Sequence, residues 1–239
     1  MKIKSAFWKV CLVSLVMVGG RAIADPNTDY SNGVIPTPPC PFPEQFKDYQ
    51  ILPSSISPDK QYALIYPKRS ALYDLKEYSL YLVSLNPFRI LTIIPLRWSN
   101  LAENAHGWYG VNWSKDSKAV VMIEGSKWGP DKVYLTTISD GYAGSITDLT
   151  EEVTRQVKGD FLQSKASRFN DFYEFIFDGG STGWDFLNNN QIQIRYECTN
   201  DPKSLKKKSW NVRFEGVWDI SKREFASKMI TPLPKTQFP

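Results

Sequence analysis

The chain has 239 residues, 29 of them basic and 25 acidic, with a single histidine, three cysteines and 14% aromatic residues. Its formal charge of +4 comes from the first 24 residues, where Lys2, Lys4, Lys9 and Arg21 stand without an acidic partner, so the remainder is close to neutral. That balance gives no footing to a nucleic-acid partner, and one histidine excludes any metal or catalytic site that needs two.

Residues 1–24 read as a secretory signal peptide. Lys2, Lys4 and Lys9 form a positive segment, residues 10–18 are apolar, and Ala22-Ile23-Ala24 supplies a small–x–small cleavage site. The apolar run is about half of the ~20 residues a membrane span requires, so no transmembrane anchor is expected. The protein is therefore expected to be exported, periplasmic or extracellular, and to begin at Asp25. Cys11 is discarded with the signal, which leaves Cys40 and Cys198. In an oxidising compartment these two are expected to form one disulfide, with a pair of separate thiols as the other reading.

Residues 25–46 carry Pro26, Pro36, Pro38, Pro39, Pro41 and Pro43 and read as an extended strap. Residues 47–239 are enough for a single β-rich domain with a core of its own. Within it, turn signals fall at Ser57-Pro58-Asp59, Asn86-Pro87, Gly129-Pro130 and Asp140-Gly141. The runs 80–83, 90–94 and 119–123 are apolar at successive positions, the pattern of inner strands covered on both faces. Residues 133–138 and 172–177 are further strand candidates.

Between these strands lies an aromatic segment. Trp98, Trp108, Tyr109, Trp113 and Trp128 are interleaved with Asn100, Asn104, Asn112 and Asp116. Large rigid rings rimmed by amides suit a sugar or a protein hot spot, and they equally suit the core of a β fold. His106 lies in the same segment and reads as a loop residue.

One helix is expected over about 148–163. Asp148 can cap its start, Glu151 completes a capping box, and Leu149, Val153, Val157 and Phe161 recur every four residues along one side. Further on, Gly179-Gly180-Ser181-Thr182-Gly183 matches the G-x-S-x-G pattern of a nucleophile elbow. Residues 184–190 make a poor helix, and the lone histidine precedes the serine, so the motif reads as a glycine-rich loop. Asp116, Glu124, Asp131, Asp171, Glu174, Asp178 and Asp185 could in principle supply a carboxylate pair, but nothing in their spacing selects one. No catalytic residue, metal ligand set or cofactor is assigned.

The C-terminal region contains the clearest strands. Ile192, Ile194, Tyr196 and Cys198 alternate with polar residues, and Trp210, Val212, Phe214, Gly216 and Trp218 do the same. The two runs are expected to form a long antiparallel hairpin around a polar loop that carries Lys206, Lys207 and Lys208. That basic tip could meet anionic polymers or lipid head groups, or simply be solvated.

Two segments share a pattern. Ile56-Ser57-Pro58-Asp59-Lys60-Gln61-Tyr62-Ala63 and Trp113-Ser114-Lys115-Asp116-Ser117-Lys118-Ala119-Val120 each run from an apolar residue through Ser-x-Asp into a buried strand. Side chains of Ser and Asp can hold backbone donors in such a turn and so set the register of the next strand. Residues 217–225 have a related strand–turn–strand cadence. This pattern resembles the blade repeats of TolB-type β-propellers, over roughly 56–140 and 210–228. The resemblance implies a periplasmic protein whose work is binding other envelope components. The marks at Ser57 and Ser114 are spaced more widely than the ~40–45 residues of a blade. The expected fold is therefore mainly β, an antiparallel meander or partial propeller-like set of sheets with one packed helix. The expected function is a non-enzymatic binding module engaging an envelope or secreted protein. The alternative is a glycan-binding or glycan-hydrolysing protein that uses the Trp98–Trp128 region.

Overall fold

The computed structural model describes residues 38, 41–68, 79–95, 108–126, 129–164, 176–177, 184–200 and 209–234; for 108, 126, 129–131 and 176–177 only the backbone is described. The signal segment 1–24, Asp25, most of the strap, Cys40, Trp98, His106, Trp128, the Gly179–Gly183 motif and Lys206–Lys208 lie outside these residues.

The fold is mainly β, as the alternating and continuous apolar runs predict, with three antiparallel sheets. The first consists of β1 (Tyr49–Ile51), β2 (Tyr62–Pro67), β3 (Leu80–Leu85) and β4 (Phe88–Ile94), paired in sequence order. The second runs β5 (Trp108–Trp113), β6 (Ala119–Ser126), β7 (Gly129–Ser139) and β8 (Tyr142–Ala143), with β9 (Thr147–Asp148) also paired to β7. In the third, β11 (Trp184–Asn188), β12 (Gln191–Thr199), β13 (Asn211–Asp219) and β14 (Glu224–Pro232) form a meander, and β10 (Ile176–Phe177) adds to β12. Each sheet thus contains a four-stranded up-and-down unit, the shape of a propeller blade, and none closes into a barrel.

The three sheets stack face to face, with the second in the middle. Leu64 and Tyr66 of β2, Leu80 and Leu82 of β3 and Val120 and Met122 of β6 share one apolar layer between the first and second sheets. Ala119 and Val121, the other face of β6, join Ile192, Ile194, Tyr196 and Phe214 in a layer between the second and third. This is why residues 119–123 are apolar at successive positions: side chains alternate across the strand, and both sides are covered. On its far side the first sheet packs Ala63, Ile65, Val83 and Leu85 against Phe46, within a short 3-10 turn at Glu44–Phe46 where the strap ends.

The expected hairpin of the third sheet is present in the expected register. Ile192 pairs with Trp218, Ile194 with Gly216, Tyr196 with Phe214 and Cys198 with Val212. Gly216 is required by close approach. A Cβ there would lie 2.9 Å from Phe225 Cδ1 and 3.0 Å from Phe214 Cε1, two rings that meet edge to face with centroids 5.1 Å apart. The opposite face is solvated and carries cross-strand pairs, Arg213 with Glu197 at 2.5 Å and Arg195 with Glu215 at 3.7 Å.

One expectation needs correction. The run 90–94, read as an inner strand, is part of β4, the outer strand of its sheet, and Ile93 is 57% exposed. Within the aromatic segment, residues 108–113 form β5 and pair with β6 along their length.

The helix α1 (Leu149–Gln163) begins at the predicted residue. The Asp148 carboxylate accepts a hydrogen bond from the Glu151 N–H at 3.0 Å, and its other oxygen accepts from Lys132 Nζ at 2.7 Å. Leu149, Val153, Val157 and Phe161 are buried in the layer between the second and third sheets. Phe161 meets Trp210 edge to face at 5.2 Å, and the Trp210 indole N–H donates to Asp160 at 2.6 Å. Asp148→Ala removes a cap and a partly exposed ion pair together. We expect a loss of about 1 kcal/mol, read as a lowered urea midpoint at unchanged m-value.

Candidate functional site

The two Ser-x-Asp turns have the same internal geometry. In the β1–β2 connection Ser57 Oγ donates to Asp59 Oδ1 at 2.6 Å and accepts from the Tyr62 N–H at 3.0 Å, while Asp59 Oδ1 also accepts from the Gln61 N–H. In the β5–β6 connection Ser114 Oγ donates to Asp116 Oδ1 at 2.7 Å and accepts from the Ala119 N–H at 2.9 Å, while Asp116 accepts from the Lys118 N–H. Both serines are buried. The backbone turns left-handed at Lys60 (φ +62°) and Ser117 (φ +60°), a conformation that favours glycine. The hydrogen bonds of each turn therefore hold a conformation that a side chain disfavours by about 1–2 kcal/mol.

These turns join the sheets. The Asp59 N–H donates to Ser117 Oγ at 3.1 Å, the Trp113 indole N–H donates to the Ser55 carbonyl at 2.9 Å, and the Trp113 ring stacks on Tyr62. In an up-and-down sheet the first and third connections lie at the same end. The Ser57 and Ser114 turns are thereby accompanied, in their own sheets, by the Asn86-Pro87 and Asp140-Gly141 turns. Arg89, just past the former, donates to the Gly141 carbonyl at 2.6 Å, and its guanidinium lies 5.0 Å from the centre of the Tyr142 ring. Gly141 has φ +74°, and a Cβ there would fall 2.7 Å from Arg89 Nη2. Glycine at this position lets the arginine reach the carbonyl. Tyr142 is 67% exposed. The first two sheets thus present one end built of short, cross-bonded turns, with an arginine–tyrosine pair at their junction.

The third sheet contributes a different turn. Asp219 Oδ1 accepts from the Lys222 N–H at 3.0 Å, the Ser221 hydroxyl at 2.7 Å and Asn190 Nδ2 at 3.1 Å. These donors, the Lys222 amide first, hold the Asp219 carboxyl below the usual carboxylate range. A depressed pKa stabilises the fold above the unfolded value and loses that contribution as pH falls through the folded one. We expect the Lys222 amide resonance to shift only below the ordinary aspartate range near 3.8, and Asp219→Asn to lower neutral-pH stability while weakening its dependence on acid.

After this turn Arg223, at φ +57°, crosses to the second sheet, donating from Nη1 to Ser145 Oγ at 2.8 Å and from Nη2 to Thr147 Oγ1 at 3.2 Å. Beneath it is a cleft of about 60 Å³ lined by Leu135, Thr136, Thr137, Ser145, Thr147, Trp218, Ile220 and Arg223. Trp218 is buried, and its indole nitrogen has no hydrogen-bond partner among the described residues. Such a buried donor costs about 1–3 kcal/mol.

The aromatic residues singled out in the sequence take separate places. Tyr109 is 2% exposed, and its hydroxyl pKa is pushed up by burial and then by neighbouring Glu124. Trp113 is half-buried between sheets, and Trp108 is placed only as backbone in β5. Tyr109, Val111 and Trp113 point toward the first sheet, and from the other side of the strand Asn112 donates to the Trp184 carbonyl at 2.8 Å. Tyr109 and Trp113 therefore hold sheets together rather than offering a free ring face. Trp98 and Trp128 lie outside the described residues.

Cys198 faces the layer between the second and third sheets and is fully buried with a free thiol, its pKa raised first by burial. The expected bridge to Cys40 is thus not seen at its described end, for the physical reason that this thiol faces the apolar interior. Among the described residues no three His, Cys, Asp or Glu side chains converge in a way that could hold a metal ion, and no helix is long and apolar enough to cross a membrane. Arg89, Tyr142 and Arg223, which sequence does not single out, all lie in or beside turns that it does signal. No family model matches the chain, and neither a curated protein nor a solved structure matches it.

Proposed function

We propose that the chain is an exported, non-enzymatic binding module of the cell envelope or secreted space, and that it engages a protein partner through the turn-bearing end of its first two sheets. The observation that carries this reading is the pair formed by Arg89 and Tyr142. Tyrosine and arginine dominate the energetics of protein interfaces because each offers a large, rigid, amphipathic surface at small entropic cost. Here one face of the exposed ring is held by the guanidinium, and the guanidinium is itself fixed to the Gly141 carbonyl, so little ordering remains to be done on binding. The turns beneath are tied together by side-chain hydrogen bonds between sheets.

The export part of the proposal rests on the pattern of residues 1–24, and the envelope setting on the likeness of the two Ser-x-Asp turns to TolB-type repeats. N-terminal sequencing of secreted material should begin at Asp25, and a mature chain that retains Met1 contradicts export. The binding part is tested by crosslinked capture with the mature protein beside a Tyr142→Ala twin. A glycan platform at Trp98–Trp128 is the weaker reading, since Tyr109 and Trp113 are engaged between sheets.

A further inference from the structure

We infer that the cleft between the second and third sheets binds a carboxylate group. Its polar side chains are one guanidinium, Arg223, and the hydroxyls of Thr136, Thr137, Ser145 and Thr147. Arg223 uses one N–H on Ser145 Oγ and another on Thr147 Oγ1. A guanidinium carries five N–H groups, so others remain. Each hydroxyl accepts from arginine with its oxygen, which leaves its own proton to be given to something else, and Arg223 polarises both. Thr136 is spent, its hydroxyl donating to the Gly144 carbonyl at 3.0 Å. No acidic side chain lines the cleft; of the three that adjoin its lining in sequence, Asp219 is engaged by its own turn, Asp148 by Lys132 and the Glu151 N–H, and Glu224 is exposed. Trp218 also lines the cleft, and its buried indole N–H, which has no acceptor among the described residues, is a reporter beside the site.

A site of this composition asks for an acceptor with more than one oxygen. The single positive charge suits a monoanion, and the planar fork of arginine matches a carboxylate. The cleft, about 60 Å³ in volume, has room for several water molecules and so for a group the size of a carboxylate. The carboxylate could belong to a free small acid or to the end of a partner's polypeptide, and the site reads the same atoms in both. This inference does not rest on the protein-binding reading, because it concerns a different cleft and a ligand that can be added alone.

The test is a titration of uniformly labelled mature protein with sodium acetate, exchanged for chloride at constant ionic strength, while the Trp218 indole N–H and the Arg223 side-chain N–H resonances are followed. Saturable shifts in both are expected, with acetamide silent. Arg223→Gln and Ser145→Ala, checked for native spectral dispersion, should each weaken acetate binding at least tenfold. A linear, non-saturating response, or saturation that persists unchanged in both variants, overturns the inference. A second arm compares a short peptide with a free C-terminus and the same peptide as its amide. Tighter binding by the free peptide than by acetate assigns the site to a polypeptide end, and binding of acetate alone assigns it to a small acid.

Discussion

Phe214→Ala is expected to cost about 3–5 kcal/mol, a large part of the stability of a domain this size. The ring is fully buried in the layer between the second and third sheets, opposite Tyr196 on β12 and edge to face with Phe225 on β14. Gly216 has no side chain to fill the vacated space, and of the two rings that close over it only Phe225 would remain. With the ring fully buried between two hydrogen-bonded sheets, a cavity should persist, and persistence is what makes a large-to-small change expensive. Urea unfolding should show a strongly lowered midpoint at unchanged m-value. A loss below about 1 kcal/mol would mean that the third sheet is not packed on the second through this ring.

Tyr142→Ala is expected to weaken partner binding by about 2 kcal/mol, roughly thirtyfold, while leaving the fold intact. The residue is largely exposed at the start of the two-residue strand β8, so its removal opens no core. Arg89→Ala should weaken binding too, by a smaller factor in the Tyr142→Ala background than alone, because the two side chains touch and act together. Equal effects in both backgrounds would show that the cation does not hold the ring for the partner.

Much of this architecture is legible in the order of residues. The hairpin of β12 and β13 follows from strict alternation, since a one-residue slip would turn Ile192, Ile194 and Tyr196 into solvent and Arg195 and Glu197 into the core. The helix follows from its cap and its four-residue spacing. The Ser-x-Asp segments are turns as read, even with Lys60 and Ser117 where glycine is usual, because the chemistry of the serine and aspartate side chains is local. Residues 90–94 mark the limit. A continuous apolar run has the same appearance in an inner strand and in an outer one, and only the pairing, which leaves β4 with one neighbour in its sheet, decides between them. The aromatic segment fails for a related reason: Trp113 and Tyr109 offer the same rings to a ligand or to a neighbouring sheet, and sequence does not say which is closer. The Arg89–Tyr142 junction was out of reach because it joins residues of different sheets through a backbone carbonyl.

The most direct test of the proposed function is a paired crosslinking capture in the native envelope, with tagged mature protein and its Tyr142→Ala form at equal abundance and equal thermal stability. The account predicts one dominant, near-stoichiometric protein with the unaltered chain, and its recovery reduced at least tenfold with the variant. Equal recovery from both forms, or recovery of the bare chain alone, would contradict it.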